Sequence, residues 1–254
     1  MKAVILAGGF GTRFSEYTHL IPKPMINIGP YPILHHIMNL FSKYGIKNFV
    51  VALGYKSEVI KNYFYSLPTL NNDFTINPRN SKITFHSNKA PDWDITLVDT
   101  GLNTMTGGRL LRLKDHLISD KFFCTYGDGL SNINIKNLLE NHNSSKCMAT
   151  VTAVRPQARF GELIIDSDNV VKSFKEKPQL NTGYINGGFF VFEPEVLDFI
   201  ENDETILEKE PLEKLANNSL LNAYKHDGFW QCMDNKRDYD YLNKLYDSGE
   251  TPWK

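Results

Sequence analysis

The feature that most constrains the fold is the junction within residues 3–13. Ala3-Val4-Ile5-Leu6-Ala7 is an unbroken apolar run of the kind a strand buried on both faces requires, and it stops abruptly at Gly8-Gly9-Phe10-Gly11-Thr12-Arg13. Strands covered on both faces belong to sheets flanked by helices, so the chain is expected to be α/β.

The glycines of this loop let successive backbone N–H groups face one concavity, where phosphate oxygens can be bound. Arg13 adds a planar, permanently charged fork, and Lys23 follows between Pro22 and Pro24, whose fixed φ values would aim an ammonium back toward the loop. The combination suits a polyphosphate; the plainer alternative is a glycine turn between strand and helix. Two familiar phosphate loops are excluded. A Walker A loop needs Gly-Lys-Ser/Thr, but Gly11 is followed by Thr12 and Arg13. The dinucleotide fingerprint needs a small residue where Phe14 stands and an acidic residue after the next strand, residues 49–53, where none occurs.

Leu6-Ala7-Gly8-Gly9-Phe10-Gly11-Thr12-Arg13 followed by Pro22-Lys23-Pro24-Met25 resembles the signature of the sugar-1-phosphate nucleotidylyltransferases, which join a sugar phosphate to a nucleoside triphosphate with loss of pyrophosphate. Further matches run along essentially the whole chain. The resemblance implies a Rossmann-like doubly wound mixed sheet and assigns residues 6–13 and Lys23 to the nucleotide.

Composition agrees with one soluble globule: 254 residues, 41% hydrophobic and 22% charged with a net charge of −1, which argues against nucleic acid as a partner. A single domain over residues 1–254 is expected, with 1–148 mainly for the nucleotide and 149–254 for the sugar phosphate and terminal helices. Cys124, Cys147 and Cys232 lack CxxC spacing, so neither a disulfide framework nor a zinc site is indicated. No apolar stretch approaches the roughly 20 residues of a membrane span, and the N-terminal run is shorter than a signal peptide's core. A cytoplasmic protein without membrane attachment is expected.

Ile33, Ile37, Leu40 and Phe41 mark a helix over 32–44, a strand follows at 49–53, and Val59, Ile60, Tyr63 and Phe64 mark a second helix. Strand, helix, strand, helix is the doubly wound pattern. His35 and His36 have no second ligand at i+4 and read as packing residues. Residues 67–80 form a loop of Pro, Asn and Asp, an insertion long enough to be functional or a subunit contact; strands are expected at 83–86 and 95–98.

Residues 99–109 open a helix through Leu110, Leu111 and Leu117, and small and hydroxyl residues at its start leave backbone donors free for a ligand. The resemblance lays this turn, with Thr104, Gly108 and Arg109, against the nucleotide base, and the wording of Thr106-Gly107-Gly108-Arg109 is similar to members that use CTP. A plain capping turn is the alternative. The strand at 122–126 delivers Gly127-Asp128-Gly129 at its carboxyl end, where ligands bind in open α/β sheets. An aspartate between glycines can be approached by a hydrated cation, with magnesium the natural candidate; a solvated turn aspartate is the alternative.

From Ala149 strands follow without long helices between them, at 150–154, 162–165, 170–174 and 184–192, which suggests a small mixed sheet appended to the nucleotide half. The resemblance implies that Tyr126, Glu176, Lys177, Asn186 and Gly188 hold the sugar and its phosphate. Short helices are expected at 194–200 and 211–215 and a last one at 237–248, with Asp234 at its potential N-cap. The resemblance instead makes Asp234 the second magnesium ligand, opposite Asp128. The ending Thr251-Pro252-Trp253-Lys254 resembles the members that combine CTP with glucose 1-phosphate.

The implied reaction is attack by a phosphate oxygen of glucose 1-phosphate on the α-phosphorus of CTP, giving CDP-glucose and pyrophosphate. A phosphomonoester with a second pKa of about 6 is already mostly a dianion at neutral pH and needs no general base. The work left is to offset repulsion between polyanions and to align them in line. On this reading Arg13, Lys23 and Asp128 are the catalytic residues: Arg13 and the loop amides hold the leaving pyrophosphate, Lys23 neutralises charge, and Asp128 and Asp234 carry magnesium. Alternatives are a thymidylyl- or uridylyltransferase and a catalytically silent, nucleotide-sugar-binding regulatory subunit. The resemblance further implies a homo-oligomer, a homohexamer, serving dideoxyhexose synthesis for bacterial surface polysaccharide.

Overall fold

The strand Ala3–Leu6 is buried along its whole length and runs parallel to Asn48–Leu53 on one side and to Phe122–Tyr126 on the other. Alternation along it sends Ala3 and Ile5 into one apolar core and Val4 and Leu6 into another, one on each face of the sheet. This explains why the sequence run is unbroken rather than alternating. The helix Ile33–Lys43 supplies Ile33, Ile37 and Phe41 to the first core. Leu110, Leu117, Val196 and Leu212 close the second.

In the computed structural model, which describes residues 1–156, 162–165, 167, 169–175 and 183–254, the central sheet has eight strands. Its order is Ile185–Asn186, Ala149–Val154, Phe190–Phe192, Phe122–Tyr126, Ala3–Leu6, Asn48–Leu53 and Asp94–Asp99, with Leu221–His226 pairing alongside Ala149–Val154. The sheet is mixed, because Phe190–Phe192 lies antiparallel to Phe122–Tyr126. Of the strands after Ala149, Ala149–Val154, Ile185–Asn186, Phe190–Phe192 and Leu221–His226 thus belong to the central sheet, while Glu162–Ile165 and Val171–Lys175 pair antiparallel as a two-stranded sheet of their own. Buried phenylalanines at 190 and 192 pack into the same core as Phe122, so the second half extends the first.

Three local expectations are corrected. Residues 67–80 are not an irregular loop: the helix Ser57–Asn71 continues past Pro68, and a hairpin of Phe74–Asn77 and Lys82–Phe85 follows. Proline reads as a breaker, but it removes only one donor, and the side-chain amides of Asn71 and Asn72 donate from Nδ2 to the carbonyls of Leu67 and Pro68 to finish the last turn. The strand expected over 184–192 is broken at Gly187–Phe189, where Gly188 and Phe189 adopt positive φ. The final helix, Lys236–Asp247, is capped by Asn235, whose side chain accepts from the Asp238 N–H at 3.1 Å, rather than by Asp234.

His35 and His36 are packing residues, as expected. His35 Nδ1 lies 2.7 Å from the Tyr63 hydroxyl, and His36 Nε2 lies 2.8 Å from the Ile28 carbonyl. No helix among the described residues is long and apolar enough to cross a membrane.

Candidate active site

A cleft of about 610 Å³ opens at the carboxyl ends of the parallel strands. It is lined by residues 6–13, Lys23 and Pro24, the turn 102–106 with Arg109, residues 126–128 and Asp234. The residues that sequence analysis assigned to the nucleotide therefore converge, with the exception of Gly108.

Asp128 and Asp234 meet because of a strand pair that periodicity did not reveal. Gly129–Ser131 lies antiparallel to Trp230–Cys232 with Gly129 opposite Cys232, and the Met233 N–H donates to the Asp128 carbonyl at 2.9 Å. The two carboxylates then share one ammonium. Lys23 Nζ lies 2.6 Å from Asp128 Oδ2 and 2.6 Å from Asp234 Oδ1, while Arg13 Nη1 is 3.4 Å from Asp234 Oδ2. Burial alone would raise the Asp234 carboxyl, but Lys23 and Arg13 outweigh it and hold its pKa below the ordinary value. Burial would likewise lower Lys23, but the paired carboxylates raise it instead. Both partners are charged at neutral pH.

Two carboxylate oxygens aimed at one point suit magnesium, which takes one or two carboxylates and completes its octahedron with water and phosphate oxygens. Among the described residues no cluster of three or more histidine, cysteine or acidic side chains is poised for a metal.

The loop's glycines divide their roles. Gly11 sits at φ 64, and a Cβ there would stand 2.7 Å from Thr18 Cγ2. Gly8 packs directly on the Arg109 guanidinium, leaving no room for a side chain. Arg109 is buried; its Nη2 donates to Gly8 O at 2.9 Å, and its Nη1 donates to Leu53 O, Thr100 Oγ1 and Gly101 O at 3.0, 2.8 and 2.7 Å.

The helix start at Thr106 does not offer the free donors that its residue types suggest. Gly107 and Gly108 both donate to Thr205 O, at 3.0 and 3.2 Å, and Met105 donates to Asp203 O at 2.8 Å. The glycines admit the 203–205 backbone, since a Cβ on Gly107 would stand 2.7 Å from Thr205 O, and Gly108 abuts Asp203. Gly108 therefore faces this segment rather than the cleft.

The nucleotidyl transferase family model matches residues 2–239. The chain belongs to that family. Glucose-1-phosphate cytidylyltransferase from Salmonella typhi is 48% identical to this nucleotidyltransferase over 100% of this chain and 99% of the relative. Mannose-1-phosphate guanylyltransferase 1 from Arabidopsis thaliana is 32% identical over 97% of this chain and 64% of its own. A solved UDP-glucose pyrophosphorylase complexed with UDP-glucose has the same fold, with a TM-score of 0.69 at 16% identity and coverage of 98% of each chain.

Tyr126 lines the cleft, donates to Glu208 Oε1 at 2.6 Å and accepts from Asn186 Nδ2 at 3.1 Å, while Asn186 and Gly188 lie behind it and not among the lining residues. Gly188 donates to Asn186 Oδ1 at 2.9 Å, fixing the amide. Thr106 Oγ1 donates to the other Glu208 oxygen at 2.6 Å, so Glu208 links two lining residues of the cleft, Thr106 and Tyr126. Glu208 carries no signal of this role in the sequence, because Glu208-Lys209-Glu210 reads as solvated surface. Glu176 and Lys177, assigned to the sugar phosphate, lie outside the described residues.

Proposed function

We propose that this nucleotidyltransferase transfers the cytidylyl group of CTP to glucose 1-phosphate, giving CDP-glucose and pyrophosphate. The observation that carries the reading is the 48% identity over the full chain to a glucose-1-phosphate cytidylyltransferase, and the cleft supports it. The glycine loop and Arg13 bind and orient the triphosphate, and Lys23 offsets the charge that builds on the α-phosphate as the sugar phosphate approaches in line. Asp128 and Asp234 would hold Mg²⁺, which supplies further charge neutralisation at the phosphate oxygens when bound. Tyr126, Asn186 and Gly188, together with Glu176 and Lys177, position the glucose 1-phosphate, while Thr104 and the turn before Arg109 face the base. Neither a general base nor a histidine is required.

We further propose a cytoplasmic homo-oligomer, a homohexamer, that supplies CDP-glucose for dideoxyhexoses of surface polysaccharide. The hairpin supports assembly, since Phe74, Ile76, Ile83 and Phe85 share one exposed apolar face and a lone two-stranded ribbon is marginal in water. Sedimentation of the wild type and of Ile76→Lys tests it, with monomer in both refuting assembly.

The decisive experiment for the activity is pyrophosphate release measured across CTP, UTP and dTTP with glucose 1-phosphate saturating. A base site matched to cytosine leaves buried polar groups unpaired with the other bases at about 1–3 kcal/mol each, so a preference for CTP of about tenfold or more is expected. Equal kcat/KM for the three nucleotides would overturn the cytidylyl reading.

A further inference from the structure

Lys23 stands where both carboxylates of the proposed metal site point. A divalent ion held by Asp128 and Asp234 would compete for both carboxylates with an ammonium that already sits 2.6 Å from Asp128 Oδ2 and 2.6 Å from Asp234 Oδ1. The two cations would draw on the same pair of carboxylates. With Arg13 3.4 Å from Asp234, the two carboxylates already face two positive side chains, so the local charge is close to balanced before any ligand arrives.

The backbone beneath Lys23 is not free to carry the ammonium away. Pro22 and Pro24 flank it, Met25 N–H donates to Pro22 O at 2.8 Å, and Ile26 N–H donates to Lys23 O at 3.1 Å. Movement is left to the side chain, which has four rotatable bonds. Its stem passes beside the glycine loop, close enough that a Cβ on Gly11 would lie 3.3 Å from Lys23 Cβ. A rotamer change therefore transfers the charge from the carboxylates toward the loop that receives the triphosphate.

We propose that Lys23 is a resident counter-ion that makes metal loading conditional on nucleotide. In the free protein it occupies the carboxylate pair and keeps divalent cations off it. Entering phosphates offer the ammonium a competing polyanion, Lys23 turns to them, and Asp128 and Asp234 become open to the divalent ion that accompanies the nucleotide. This rests on the assignment of Asp128 and Asp234 to the metal and adds an order of events to it.

The test uses Mn²⁺ as the probe, with binding to the full-length protein in the absence of nucleotide followed by loss of the free-ion electron paramagnetic resonance signal. A neighbouring cation changes a carboxylate's affinity for a second positive charge by about one to three powers of ten. Lys23→Met is therefore expected to bind Mn²⁺ at least about tenfold tighter than the wild type, and Asp128→Asn added to Lys23→Met to abolish the gain. Lys23→Gln, which keeps a hydrogen-bond donor without the charge, should shift affinity in the same direction, and thermal unfolding confirms which variants fold. Unchanged or weaker Mn²⁺ binding in both folded variants overturns the counter-ion role, while Asp128-dependent binding in the wild type with a non-hydrolysable CTP analogue keeps the metal assignment. If Asp128→Asn alters Mn²⁺ binding in neither setting, the metal assignment falls and takes the counter-ion role with it.

Discussion

Arg109 Nη2 donates to the carbonyl of Gly8 over 2.9 Å, although 101 residues separate the two. Through Leu53, Thr100 and Gly101 the same guanidinium also reaches the ends of the two next strands, so one buried side chain ties together the floor of the cleft. Arg109→Ala would leave several buried carbonyls unpaired. A loss of about 2–4 kcal/mol is expected, with a rise in KM for CTP as the loop loosens. Calorimetry and steady-state kinetics check this; an unchanged melting temperature would show that the tie is not structural.

The glycines after Thr106 are expected to matter through packing. Gly107→Ala places a methyl 2.7 Å from the Thr205 carbonyl, and overpacking of this kind typically costs about 1–3 kcal/mol. Chemical denaturation should show the loss, and CTP at saturation should restore turnover. Full stability with impaired nucleotide binding would instead place the glycine against the ligand.

Tyr126 is a fixed donor. Burial, with Glu208 beside it, pushes its phenol far above the ordinary value, so it stays protonated at any working pH. Tyr126→Phe removes its hydrogen bonds to Glu208 and Asn186, each worth about 1 kcal/mol. The expected result is a several-fold higher KM for glucose 1-phosphate with little change for CTP. A rise confined to CTP would contradict the sugar-side assignment.

Acid sensitivity should come from buried histidines. Burial and the neighbouring His36 lower His35 to about 4, and burial also lowers His36, His142 and His226. Above pH 7 folded and unfolded chains are both neutral at these positions. As pH falls from about 6.5 toward 4 the unfolded chain takes up protons that the folded one refuses, so stability falls with falling pH through that window. For His35 alone the loss at pH 5 is on the order of 2 kcal/mol, or about 4–8 °C in Tm. Melting curves from pH 8 to 4.5 should show it, with a shallower slope in His35→Gln; a flat profile would refute it.

The sheet and the loop were legible because each is written locally. The apolar run from Ala3 and the spacing of Ile33, Ile37 and Phe41 follow from burial and helical period alone. What escaped depends on pairing between distant segments. The Gly129–Ser131 and Trp230–Cys232 pair that joins Asp128 to Asp234 has short, partly polar strands, and nothing in either segment names its partner. The Thr106 turn misled for a related reason: small residues at a helix start suit a ligand and an approaching backbone equally well, and only the position of residues 203–205 decides between them.

The antiparallel ladder between Phe190–Phe192 and Phe122–Tyr126 has a mechanical consequence. Enzymes that bind one substrate on each of two hinged lobes can close by rotating the lobes together. Here the strand bearing Tyr126 on its way to Asp128 is itself bonded into the half that carries Asn186, so rotation of one half against the other would tear the ladder and open a shared core. The distance between Asp128 and Asn186 is thereby set at folding, and the parts left to adjust are side chains and the loops along the rim.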